Sequence, residues 1–287
     1  MILTASFAML TVFTRYLDHG FTVAQQVYLR TAVAFALAVV IFARKLRWAV
    51  VVRAGGREWA VVVARTVLLY VVGTLLFAKA ATLTSVANVS FIAALPLAAA
   101  LGLLLRRVSA TPARLACVAG SVVGVALLSG PRSVGAGVTV DPGDLLALLA
   151  MTAMAWSYLG RDWHTGVLNN HEITTLTLGV GTLGVALTSL AQGQGVPQVT
   201  GPVSPLTLWS AVAVAGILSI ANVFLINYGF DRVDPVHAGN LLTLECLWGL
   251  LFGLLFYHQT PTLPGLLGGT LILTSALTLN TTKKPTP

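Results

Sequence analysis

Apolar residues fill long runs along the whole chain, and polar residues gather in short breaks between them. A helix must offer about twenty mostly apolar residues to cross a hydrocarbon layer roughly 30 Å thick. Runs near that length lie at residues 1–16, 23–43, 58–78, 83–105, 112–129, 143–159, 172–190, 206–229, 233–257 and 261–279. They predict an all-α polytopic membrane protein of about ten transmembrane helices. Turn-forming residues close the runs: Asp18-His19-Gly20, Gly55-Gly56, Gly130-Pro131, Asp141-Pro142-Gly143, the stretch 193–205, and Thr260-Pro261. No break is long enough to house a soluble domain.

Composition sharpens this picture. The 287 residues are 56% hydrophobic and only 9% charged, with a mean hydropathy of +0.87. A soluble domain carries roughly a quarter charged residues, so the solvent for most of this surface is lipid. Cys117 and Cys246 both sit inside apolar runs without CxxC spacing and read as small packing residues. Met1 opens an apolar run without a basic n-region or cleavage site, so no removable signal peptide is expected.

The net charge of +8 matters through its placement. With the N-terminus inside, the inner segments hold Arg44, Lys45, Arg47, Arg53, Arg57, Arg106, Arg107, Arg114, Arg161, Arg232, Lys283 and Lys284. The outer segments hold Arg15, Lys79 and Arg132. Short cytoplasmic loops retain Lys and Arg, so a cytoplasmic membrane with both termini inside is expected. No basic face with interleaved aromatics suggests nucleic acid.

Two stretches about 150 residues apart resemble each other. Residues 76–78, 83–87 and 91–97 align over 226–228, 233–237 and 241–247. Each half then has a helix, a very short polar break, a long helix, a turn with proline and a glycine-bearing fifth helix. Five is odd, so the second repeat must insert upside down relative to the first, a common build for secondary transporters with a substrate site near midplane. The expected division is a first five-helix repeat over 1–130, a connecting loop over 131–142, and a second repeat with a short tail over 143–287.

The stretch Leu225-Ile226-Asn227-Tyr228-Gly229-Phe230-Asp231-Arg232-Val233, leading to Leu244-Glu245-Cys246-Leu247-Trp248-Gly249, resembles the second repeat of EamA-type proteins of the drug/metabolite transporter superfamily. Tyr28-Leu29-Arg30 also resembles that family's second helix. Two departures stand out: Cys246 occupies the family's usual proline position, and the glutamate that ends the ninth helix is replaced near Tyr257-His258. The resemblance implies that helices one, three, four, six, eight and nine surround a central cavity, and that export is the usual direction.

An ionisable side chain at membrane depth is costly and is a functional hypothesis by default. Glu245 lies about twelve residues into its run, roughly 18 Å along a helix, and is either a proton-coupling or ammonium-binding carboxylate or a packing partner. Arg65 either contacts substrate or snorkels to the interface, and Arg30 reads as structural. The amides Asn88, Asn222, Asn227 and Asn240 must be satisfied inside the bundle, by partners or by a solute. Tyr70, Phe91, Trp156, Tyr158, Tyr228 and Trp248 are candidate aromatic walls or ordinary packing. Glycine pairs such as Gly120–Gly124, Gly249–Gly253 and Gly265–Gly269 permit close helix approach and at most a weak homodimer.

These residues point to a secondary transporter of a small metabolite working by alternating access, with Pro96 and Gly102 as bends. An amino acid is the preferred substrate, its ammonium at Glu245 and its carboxylate at Arg65. Organic cations, drugs and nucleobase-like metabolites are the alternatives. No P-loop appears, which disfavours ATP-driven pumping, and an intramembrane enzyme is the distant alternative, because the five histidines are scattered near helix ends without HExxH or an aspartate-rich motif. No cofactor or metal is expected beyond a coupling proton, and the partners are the solute and membrane lipid.

Overall fold

The computed structural model describes residues 2–83, 92–105, 110–129, 142–199, 203–257 and 263–281. Asn88, Phe91 and nearly all of the expected connecting loop lie outside them. Helix dominates throughout: α1 (Ile2–Leu17), α2 (Val23–Ile41), α3 (Trp48–Arg53), α4 (Gly56–Thr66), a π-helical segment (Val67–Thr74) and α5 (Leu75–Leu83) come first. Next are α6 (Leu97–Leu104), α7 (Pro112–Ser129), α8 (Pro142–Leu159), a 3-10 turn (Gly160–Trp163) and α9 (Asn170–Ala191). The last are α10 (Pro205–Arg232), α11 (Pro235–Leu242), α12 (Glu245–Tyr257) and α13 (Leu263–Thr281). Five helical stretches, Val23–Ile41, Gly56–Phe77, Pro142–Trp163, Asn170–Ala191 and Pro205–Arg232, are long and apolar enough to cross a membrane.

Three runs differ from the continuous helices their hydropathy suggests. The third widens into a π-helix over Val67–Thr74, where the Thr74 hydroxyl donates to the carbonyl five residues back, at Leu69. The fourth is interrupted at Leu95-Pro96 before α6 resumes, because proline brings no N–H to the ladder. The ninth run begins at Pro235, with Asp234 as its N-cap, and breaks again at Thr243-Leu244. There the Thr243 hydroxyl donates to Asn240 O at 2.7 Å, a local bond that competes with the helical ladder. Glu245 therefore stands in the first turn of α12, not in the middle of a continuous helix.

The helices gather into two compact units. One comprises Met1–Ala8, Leu76–Ala155 and Arg232–Pro287. In it α7 packs closely on α13: a Cβ at Gly124 would sit 2.8 Å from Gly268 O, and one at Gly120 2.5 Å from Ser275 Oγ. The Gly120–Gly124 pair is thus spent on packing within this unit. The other unit comprises Met9–Leu75 and Trp156–Asp231. Its core joins α2 to α9 through Ala24, Val27, Ala34, Ala38, Leu178 and Val185, with Tyr70 against them.

In that second unit, α2 and α9 hold each other by their caps. Thr22 and Gln25 form a capping box at the start of α2. They bond Gln194, which follows the end of α9: Thr22 Oγ1 donates to its Oε1 at 2.7 Å and Gln25 Nε2 to its backbone O at 3.2 Å. Asn169 and Glu172 form the corresponding box at the start of α9. Glu172 accepts from Arg47 Nε and Nη2 at 2.9 Å each, and Arg47 follows the end of α2.

Candidate functional site

The most completely bonded set of buried ionisable groups lies in the second unit, where α4, the turn after α8, and α10 contribute side chains. Arg65 is 4% exposed. Its Nε donates to Ser157 O at 2.8 Å, and its Nη2 donates to Asn227 Oδ1 at 2.9 Å. Its Nη1 lies 2.8 Å from His164 Nε2. A guanidinium only donates, so His164 Nε2 must be the acceptor and the ring proton must sit on Nδ1. That proton goes to Glu58 Oε1 at 2.5 Å. The other oxygen of Glu58 accepts from Thr165 N at 2.9 Å and Thr165 Oγ1 at 2.7 Å. Asn227 Nδ2 completes the chain to Thr174 Oγ1 at 3.3 Å.

A neutral imidazole thus bridges a buried carboxylate and a buried guanidinium. Protonation would aim a second N–H at Arg65. Burial, with the charges of Arg65 and Arg161 and against the pull of Glu58, pushes the His164 value down to about 4. Two features close the cluster. Arg161 pairs with Asp231 at 3.1 Å. A Cβ at Gly160 would lie 2.8 Å from the Trp163 ring and 3.0 Å from Arg65 Cγ, so only glycine lets the turn approach this closely.

The sequence singled out Arg65 and Asn227, and the structure brings these two together. It passed over Glu58, His164 and Ser157, because charged residues at the edge of an apolar run read as loop groups. The hint was Glu58 opening a run with a histidine in the short loop after another.

The other candidates lie elsewhere. Tyr70 sits on the π-helical segment, buried, and a Cβ at Gly181 would touch its ring at 2.6 Å. Trp156 has its ring 6.1 Å from Trp163. Asn222 on α10 is 2% exposed, and neither its oxygen nor its nitrogen has a hydrogen-bond partner among the described residues. In the first unit, the fully buried Asn240 accepts from Ser121 Oγ at 2.5 Å, while its Nδ2 has no partner among the described residues. Trp248 lies one turn after Glu245, its ring 5.8 Å from Phe252.

Long apolar helices, five of them able to cross a membrane, define a multi-pass membrane protein. Residues 141–281, just under half of the chain, match the model of the EamA-like transporter family, a family of membrane transporters in the drug/metabolite superfamily. A crystal structure superimposes with a TM-score of 0.76 at 20% sequence identity, over 96% of this chain and 92% of that one; it is similar in fold. No curated protein matches the sequence.

Proposed function

We propose that this transporter carries a small metabolite, an amino acid, outward across the cytoplasmic membrane by alternating access between two inverted five-helix repeats. The observation that carries this reading is the paired interruption at Leu95-Pro96 and Thr243-Leu244. Breaks at corresponding places in the two halves of a transporter point to its binding site.

The caps support the inverted arrangement. Thr22 and Asn169, Gln25 and Glu172, and Arg47 and Gln194 are separated by the same interval along the chain. The bond from Gln25 to Gln194 is therefore the counterpart of the bond from Arg47 to Glu172. A two-fold axis in the membrane plane exchanges such contacts. The two spatial units also each draw helices from both halves of the sequence.

Glu245 serves as the coupling or ammonium-binding group in this reading. An acidic side chain in the first turn of a half-helix faces the positive end of its dipole, a place where it can take up a proton or an ammonium. Purified protein in vesicles tests the proposal through counterflow of labelled amino acids. Saturable flux without chemical change supports it, and Glu245→Gln should abolish the pH dependence of that flux. Normal transport by Glu245→Gln across pH removes the coupling role, and product formation would replace the carrier by an enzyme.

A further inference from the structure

Arg65, Arg114 and Arg161 are buried and Arg30 partly so, and the four differ in one respect that bears on the ligand. Arg65 uses Nε, Nη1 and Nη2 on protein acceptors. Arg114 and Arg161 each meet a carboxylate, Asp234 at 3.2 Å and Asp231 at 3.1 Å. Arg30 does not follow this pattern. It lies seven residues into α2, roughly 10 Å along the axis. Among the described residues its only hydrogen bond runs from Nη1 to Thr14 Oγ1 at 3.2 Å. Its Nε is sealed from solvent without an acceptor, and no described residue accepts from Nη2.

The surroundings add to this. Thr14 gives its own proton to Leu10 O at 2.9 Å, so its lone pair is free to hold Arg30 by one corner. That leaves the Nε–Nη2 edge, the two-pronged side of the guanidinium that matches an oxyanion. The ionisable neighbour that acts on Arg30 is Tyr70, a hydroxyl-bearing ring and not an acid. Tyr70 is carried by the π-helical segment Val67–Thr74, and π-helical departures are rare and frequently mark functional sites. An ionised group at membrane depth normally pairs with a carboxylate or with backbone carbonyls.

From this we infer that Arg30, positioned by Thr14, is an oxyanion subsite that receives the carboxylate of the transported solute. The inference rests on the amino-acid transport reading and moves the carboxylate from Arg65, which the protein itself satisfies, to Arg30. Two N–H groups of Arg30 donate side on to the solute's two carboxylate oxygens. When the site is empty the charge is uncompensated, so Arg30 costs stability that the ligand restores.

The test uses the full chain, purified in detergent and in vesicles. The probes are the twenty proteinogenic amino acids, the amines they give on decarboxylation, and inorganic phosphate at matched ionic strength. Without probe, Arg30→Met should melt a few degrees above wild type, whereas a merely structural arginine would make it melt lower. Wild type should gain melting temperature from at least one amino acid and not from its amine, and Arg30→Met should lose that gain. Flux of the same amino acid should fall at least tenfold in Arg30→Met and less in Arg30→Lys. A lower melting temperature for unliganded Arg30→Met overturns the inference, as does unchanged protection or flux. If phosphate alone protects wild type and not Arg30→Met, the oxyanion subsite stands and the amino-acid reading falls. If no probe protects wild type, the subsite is refuted.

Discussion

Glu58→Gln probes the Glu58–His164–Arg65 chain most directly, because it keeps the shape of the side chain and removes its charge. Glu58 is 3% exposed and accepts three hydrogen bonds, from His164 Nδ1, Thr165 N and Thr165 Oγ1. Bonds to a charged acceptor contribute about 1.5–3 kcal/mol each against about 1 for neutral ones. An amide also turns N–H groups toward one of the three donors. The substitution should therefore cost about 2–4 kcal/mol. At roughly 2 °C per kcal/mol for a chain of this size, the melting temperature should fall by about 4–8 °C. Thermal unfolding of purified protein followed by size-exclusion fluorescence reads this directly, with the exposed Arg53→Gln as a control expected within about 1 °C. A double-mutant cycle with His164→Gln should show coupling of about 1 kcal/mol or more. A drop of less than about 1 °C, or strict additivity with His164→Gln, would refute the hydrogen-bonded chain from Glu58 through His164 to Arg65.

Stability should also depend on acidity through His164. Its folded value of about 4 lies below the ordinary value near 6.5, so between those limits the unfolded chain takes a proton that the folded chain refuses. The contribution is fully present above about pH 6.5 and is lost as pH falls toward 4. A melting series over that range should fall more steeply for wild type than for His164→Gln; parallel curves would count against it. Packing supplies another contrast: Gly124→Ala, whose Cβ would lie 2.8 Å from Gly268 O, should cost about 1–3 kcal/mol. Gly55→Ala, with nothing within 4 Å of the added Cβ, should stay within about 0.5 kcal/mol, and equal melting temperatures for the two would contradict the α7–α13 contact. The vesicle experiments on Glu245→Gln and Arg30→Met complete the set, one reading pH-dependent flux and the other a rise in stability paired with loss of transport.

The hydrophobic pattern by itself determined that this chain lives in lipid. Where its helices fall and where the longest ones stop followed from run length and turn residues, since apolar length is fixed by bilayer thickness. It marked Arg65, Asn227 and Glu245 because an ionisable or amide group inside such a run is visible without coordinates. Which of these groups is satisfied was not legible. Arg65 and Arg30 look alike in sequence, each about seven residues into an apolar run. One finds three acceptors, drawn from residues 157, 164 and 227, and the other finds a single hydroxyl. Those acceptors are distant along the chain, and only packing brings them within 3 Å. The helix breaks at Leu95-Pro96 and Thr243-Leu244 divide along the same line. Proline announced the first from its missing N–H, whereas the second comes from a threonine hydroxyl choosing a carbonyl one turn back, a choice that hydropathy does not record and tertiary structure decides.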